Sequence, residues 1–119
     1  MDKKELKKKY AQTIQPMGVY QVKNLVNGKI FIDSGLNVQG KINSCRFQLV
    51  HGSNKNKALQ DDFNKTGIGN FTFEVIDNLK PKEEPKIDYT KDLGLLEEMW
   101  IEKLQPFDGN GYNIRKIVR

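Results

Sequence analysis

The dipeptide Asn27-Gly28 lies between two short runs of strand-forming residues and narrows the possible folds more than any other feature of the chain. Asn and Gly tolerate the positive φ that a tight two-residue turn demands at its centre, so the pair predicts a β-hairpin. The runs on either side, Gly18-Val19-Tyr20-Gln21-Val22 and Lys29-Ile30-Phe31-Ile32-Asp33, must then pair antiparallel.

After the hairpin the apolar period changes. From Asn37 onward Val38, Ile42, Cys45 and Leu49 recur at helical spacing until Gly52, which predicts a helix with one buried face and makes Cys45 a core residue. Leu59 and Phe63 mark a second, shorter helix ending near Gly67, and the alternation Phe71, Phe73, Val75 predicts a third strand. The stretch Lys80-Pro81-Lys82-Glu83-Glu84-Pro85-Lys86 is charged and broken by proline, so it reads as an exposed loop. A last helix is expected over 92–104, where Leu93, Leu96, Trp100 and Leu104 share a face and Pro106 follows. The turn Asp108-Gly109-Asn110-Gly111 would return Tyr112-Asn113-Ile114 to the domain. This order predicts an α+β fold, a small antiparallel three-stranded sheet flanked by helices.

With 119 residues one hydrophobic core is expected. The reading is a single domain over 17–119, preceded by a basic N-terminal arm over 1–16 with a short helix near 2–10. One cysteine and one histidine exclude an internal disulfide and leave too few soft ligands for zinc, so any metal would be held by oxygen. No apolar run approaches the roughly 18–20 residues of a membrane helix, and no signal-peptide pattern follows the N-terminal lysines, which predicts a cytoplasmic protein with no membrane association. The net charge of +5 is unevenly spread: residues 17–60 carry Lys23, Lys29, Lys41, Arg46, Lys55 and Lys57 against Asp33 alone, whereas 61–119 is net acidic. That asymmetry suits a surface meeting a polyanion, and equally suits lysines kept for solubility.

Four segments together carry a resemblance: Gly18-Val19-Tyr20, Phe31-Ile32-Asp33 on the next strand, Glu97 within Leu96-Glu97-Glu98-Met99-Trp100-Ile101, and Gly111-Tyr112-Asn113. In this order they resemble the GIY-YIG nucleases, from about Met17 to Ile114. The resemblance implies metal-dependent cleavage of DNA phosphodiester bonds using one Mg²⁺ or Mn²⁺ ion. It would make Glu97 the metal ligand, Tyr20 the tyrosine that helps deprotonate water, and Asn113 the supporting asparagine. A hard cation held by a single carboxylate is chemically reasonable, because water and substrate phosphate complete its shell. The cations Lys23, Lys29, Lys41, Arg46, Lys55 and Lys57 would face the DNA, and sequence specificity would come from a fused or bound protein partner, or be absent.

The pattern departs from the family at three site positions. Phe31 replaces the second-motif tyrosine, Asp33 replaces its glycine, and Lys41 stands where the family has arginine; Cys45 and Asn54 also stand where histidines are expected. Lysine keeps the charge of arginine but not the planar fork that grips two phosphate oxygens. Plainer readings exist for each residue: Glu97 as a solvated helix charge, Tyr20 as sheet packing, Asn113 as a turn residue, Trp100, Phe71 and Phe73 as core rather than base-stacking groups, His51 as a surface residue and Asp61-Asp62 as a solvated pair. Three functions follow: a weak or specialised endonuclease, a silent module that still grips nucleic acid or a partner, and a purely protein-binding domain.

Overall fold

A computed structural model of the chain describes residues 15–81 and 88–115. The hairpin forms from β1 (Met17–Asn24) and β2 (Ile30–Gly35), with Tyr20 opposite Asp33 and Val22 opposite Phe31. Its loop is longer than the two-residue turn expected. The Asn24 N–H donates to the Lys29 carbonyl at 2.9 Å while the Asn24 carbonyl accepts from the Gly28 N–H at 2.8 Å, so the loop spans 25–28. The side chains of Asn24 and Asn27 close it by accepting from the Val26 and Lys29 N–H groups, and Gly28 takes the positive φ of 76°.

β3 (Phe71–Leu79) runs antiparallel along the other side of β1, giving the order β2-β1-β3. The third strand is longer than its Phe71–Val75 signal because a register shift opposite Val19/Tyr20 lets pairing continue to Leu79. The first helix, α1 (Val38–His51), buries Val38, Ile42, Cys45 and Leu49, as the spacing requires. The Asn37 side chain caps its start by accepting from the Gly40 N–H, and Gly52 ends it in the left-handed conformation. The second helix, α2 (Lys57–Thr66), is capped by Asn56 and packs Leu59 and Phe63 into the same core as Tyr20, Val22 and Phe71. The last helix, α3 (Thr90–Leu104), begins before the expected 92 and stops where Gln105 turns left-handed ahead of Pro106.

Helix α3 covers the opposite sheet face from α1 and α2. Ser34, Val19 and Asp77 form one row across the three strands. α3 straddles that row, with the Ser34 hydroxyl donating to Glu97 Oε1 at 3.0 Å and the Trp100 indole donating to Asp77 Oδ2 at 2.9 Å. Trp100 is therefore a half-buried tether rather than a core side chain, because its N–H needs a partner when covered.

The tail returns to the domain as the turn over 108–111 predicts, and it docks along β2. Gly111 bridges Ile30 in parallel, the Tyr112 N–H donates to the Ile30 carbonyl at 2.9 Å, and Asn113 continues along the outer edge of β2. The Tyr112 hydroxyl donates to Asp62 Oδ2 at 2.7 Å and accepts from buried Asn24 Nδ2 at 3.0 Å. This corrects the reading of Asp61-Asp62 as a solvated pair, since Asp62 also accepts from Asn27 and so ties α2 to both the tail and the hairpin loop.

Most of the basic arm over 1–16 and of the loop over 80–86 lies outside the described residues. No helix among the described residues is long and apolar enough to cross a membrane.

Candidate active site

An open cleft of about 350 Å³ lies between β1, β2, α1 and the connection into α2. Tyr20 and Phe31 face it from the sheet, Lys41 and Cys45 from α1, and Asn54 and Lys55 from the connection. Asp33 also lines it. The Tyr20 hydroxyl donates to Asp33 Oδ2 at 3.2 Å, and Lys41 Nζ lies 3.6 Å from the same oxygen. The Lys41 stem runs over Gly35 so closely that a Cβ there would sit 2.4 Å from Lys41 Cγ, which is why a glycine ends β2 at this point.

Burial raises the Tyr20 hydroxyl far above the ordinary phenol range, and the Asp33 carboxylate and Cys45 thiol beside it push in the same direction. The Cys45 thiol is also raised, by burial first, with hydrogen bonds to Tyr20 and Asn54 opposing the shift. A group whose folded value exceeds its unfolded value stabilises the fold below the unfolded value and loses that contribution as pH rises. Stability should hold up to about the free phenol value of 10.0 and decline above it. Tyr20→Phe should remove about 1.4 kcal/mol per pH unit from that alkaline slope, measured by denaturant unfolding across the range. An identical slope in the variant would mean that Tyr20 titrates normally.

Glu97 is not in this cleft. It reaches β2 from the other face, through Ser34, the neighbour of Asp33. Asn113 reaches the same strand along its edge: its Oδ1 accepts from the Ile32 N–H at 2.9 Å and its Nδ2 donates to the Ile32 carbonyl at 2.8 Å. Tyr20, Glu97 and Asn113 thus hold three consecutive residues of one edge strand, Asp33, Ser34 and Ile32. Adjacent strand residues point to opposite faces, so Tyr20 and Glu97 meet β2 from opposite sides.

The basic candidates do not converge. Lys41 and Lys55 line the cleft. Lys29 sits over the Tyr112 ring at 5.7 Å and Arg46 over the Phe73 ring at 4.8 Å. Lys23 is two residues from Gln21, which pairs with Glu74 away from the Tyr20 face, and Lys57 is an exposed first residue of α2. His51 is exposed and its ring lies tilted against that of Phe47, centroids 4.2 Å apart, as a surface residue would.

No family model matches the chain. The fold nevertheless superposes on the catalytic domain of the homing endonuclease I-TevI with a TM-score of 0.67 and 30% identity, covering 84% of this chain and 99% of that one. The chain belongs to the GIY-YIG nuclease family. A variant of the same catalytic domain, with a glutamate replaced by alanine, gives a TM-score of 0.66 at 29% identity over 87% of this chain. The intron-associated endonuclease 1 of Enterobacteria phage T4 is 32% identical over 98 residues, which are 82% of this chain and 36% of that protein. The chain therefore spans about a third of that relative.

Within this GIY-YIG nuclease-like domain the three departures from the family pattern become one linked arrangement. Asp33, in place of glycine, occupies the space between Tyr20 and Lys41 and engages both. Phe31 lines the cleft beside it without a hydroxyl. Cys45 and Asn54, in place of histidines, touch each other across the cleft wall at 3.7 Å. Ser34 was missed from the sequence because nothing in a lone strand serine signals that a helix some sixty residues on will seat its carboxylate there.

Proposed function

We propose that this domain hydrolyses DNA phosphodiester bonds with one bound Mg²⁺ or Mn²⁺ ion, slowly or on a specialised substrate. The observation that carries the reading is the fold shared with a homing endonuclease catalytic domain, in which Tyr20, Glu97 and Asn113 bond to the consecutive residues Asp33, Ser34 and Ile32, Glu97 from the opposite face of the strand. Among the described residues no three His, Cys, Asp or Glu side chains cluster to hold a metal alone. A half-buried Glu97 fits a magnesium-like ion that keeps most of its waters. Such an ion would supply Lewis acidity to a phosphoryl oxygen and lower the pKa of a bound water.

The chain's own groups have defined parts in this reading. Tyr20, kept protonated by burial and by Asp33, acts as a hydrogen-bond donor and not as a base. Asn113 fixes the β2 backbone from which the site is built, and Lys41 brings positive charge to the cleft. Sequence specificity would come from a fused or bound partner, or be absent.

The test is conversion of supercoiled plasmid in Mg²⁺ and in Mn²⁺, with Glu97→Ala as control. Loss of the sole carboxylate ligand should lower the rate about a hundred-fold or more, on the scale of removing one strong transition-state contact. Equal rates for both proteins would end the enzymatic reading. One observation favours a second reading, a module that binds nucleic acid without cutting: Asp33 already consumes the hydroxyl and the cation that a scissile phosphate would use.

A further inference from the structure

We propose that Lys55, rather than Lys41, is the cation that grips a backbone phosphate of the strand lying in the cleft. The inference rests on the nucleic-acid reading of the cleft but not on cleavage. The cleft lining carries two cations, Lys41 and Lys55, and one carboxylate, Asp33. Asp33 lies 3.6 Å from Lys41, so a phosphate approaching Lys41 meets a compensated charge with a like charge beside it. Lys55 makes no ion pair with any described residue, and its full charge remains for a ligand.

The backbone that presents Lys55 is held on both sides. On one side the Asn54 N–H donates to Gln60 Oε1 at 3.1 Å and the Asn54 Oδ1 accepts from the Asn56 N–H at 2.9 Å. On the other, Asn56 caps α2 and donates to the Tyr112 carbonyl at 2.6 Å. Neutral donors stand nearby in the same lining. The Ser44 hydroxyl is one, and Gln48 is another, since its Oε1 accepts from Asn54 Nδ2 at 3.4 Å and its Nε2 hydrogens remain for a ligand. A lysine with neutral donors and no carboxylate partner is the usual composition of a phosphate contact that positions a strand without reading its bases. The anion-binding charge of the cleft thus lies on the connection into α2 rather than on α1.

The experiment measures the affinity of a labelled DNA duplex in EDTA, across a range of salt, for the whole chain and its variants. Lys55→Ala should weaken binding about ten-fold and lower the salt slope by about one, and Lys55→Arg should keep both. Lys41→Ala should cost clearly less than Lys55→Ala while Asp33 is present. In an Asp33→Asn background it should cost as much, because Lys41 is then uncompensated. Lys103→Ala, whose ammonium lies over Trp100 on the far face, serves as the control for general charge. A Lys55→Ala protein with wild-type affinity and slope overturns the proposal, as does a larger loss from Lys41→Ala or the absence of measurable binding at low salt. Because no cut is needed, a domain that binds through Lys55 but leaves plasmid intact would refute the hydrolytic reading alone.

Discussion

Asp33→Gly combined with Lys41→Arg should convert plasmid DNA measurably faster than the wild-type chain in Mg²⁺. Asp33 now ties up the Tyr20 hydroxyl and shields Lys41, and its carboxylate repels a phosphate entering the same space. Removing it frees both groups at once. The Lys41–Asp33 pair is half-exposed, so breaking it costs the fold little. Arginine at 41 can follow the existing path of the lysine stem over Gly35 and then offer two parallel donors to one phosphate. Each change should lower the barrier by about 1–3 kcal/mol, roughly five- to a hundred-fold in rate. The single variants separate two accounts of Asp33. If it obstructs, Asp33→Gly gains activity and brings the Tyr20 titration down toward the ordinary range. If it has become a metal ligand, Asp33→Gly loses whatever activity exists, and the obstruction account fails.

Gly111→Ala should be the most damaging single methyl group that can be added to the tail. A Cβ at this position would lie 2.4 Å from the Pro106 carbonyl group and 2.5 Å from the Ile30 carbonyl oxygen, all backbone atoms that cannot swing aside. The tail would have to lift from β2, taking with it the Tyr112 hydrogen bond to Ile30 and the two bonds from Asn113 to Ile32. Overpacking of this kind costs about 1–3 kcal/mol and occasionally more. That corresponds to a fall in Tm of roughly 4–12 °C for a domain of this size. Gly109→Ala, where an added Cβ meets nothing within 4 Å, is the matched comparison in the same turn. Equal melting temperatures for the two variants would show that the tail is not seated on the strand. Because the Asn113 side-chain amide holds the Ile32 backbone of β2, Gly111→Ala should also weaken any catalysis by loosening Ile32, next to Asp33.

Much of this architecture was legible in the residue order. Local chemistry dictates the helix of Val38–His51: four apolar residues at helical spacing, an asparagine to cap the start and a glycine to end it. Strict alternation through Phe71 and Phe73 likewise demanded a strand, and the Asn-Gly pair demanded a hairpin, because backbone sterics act over a few residues. The family pattern, too, was carried by residue identities in order. Tertiary structure alone decided how those identities meet. Asp33 reads in isolation as a lesion beside a phosphate; folding shows it bonded to Tyr20 and paired with Lys41, since strand register sets Tyr20 opposite Asp33 and α1 brings Lys41 over them. Glu97 and Tyr20 share a motif order, yet they come to opposite faces of β2, because helices pack on both sides of the sheet and side chains alternate along it. Asp62 and Tyr112, unremarkable along the chain, become partners only when the tail crosses to α2. Local signals determine elements through short-range sterics and hydrogen bonding. Which carboxylate meets which cation depends on contacts between residues far apart in sequence, which no local pattern encodes.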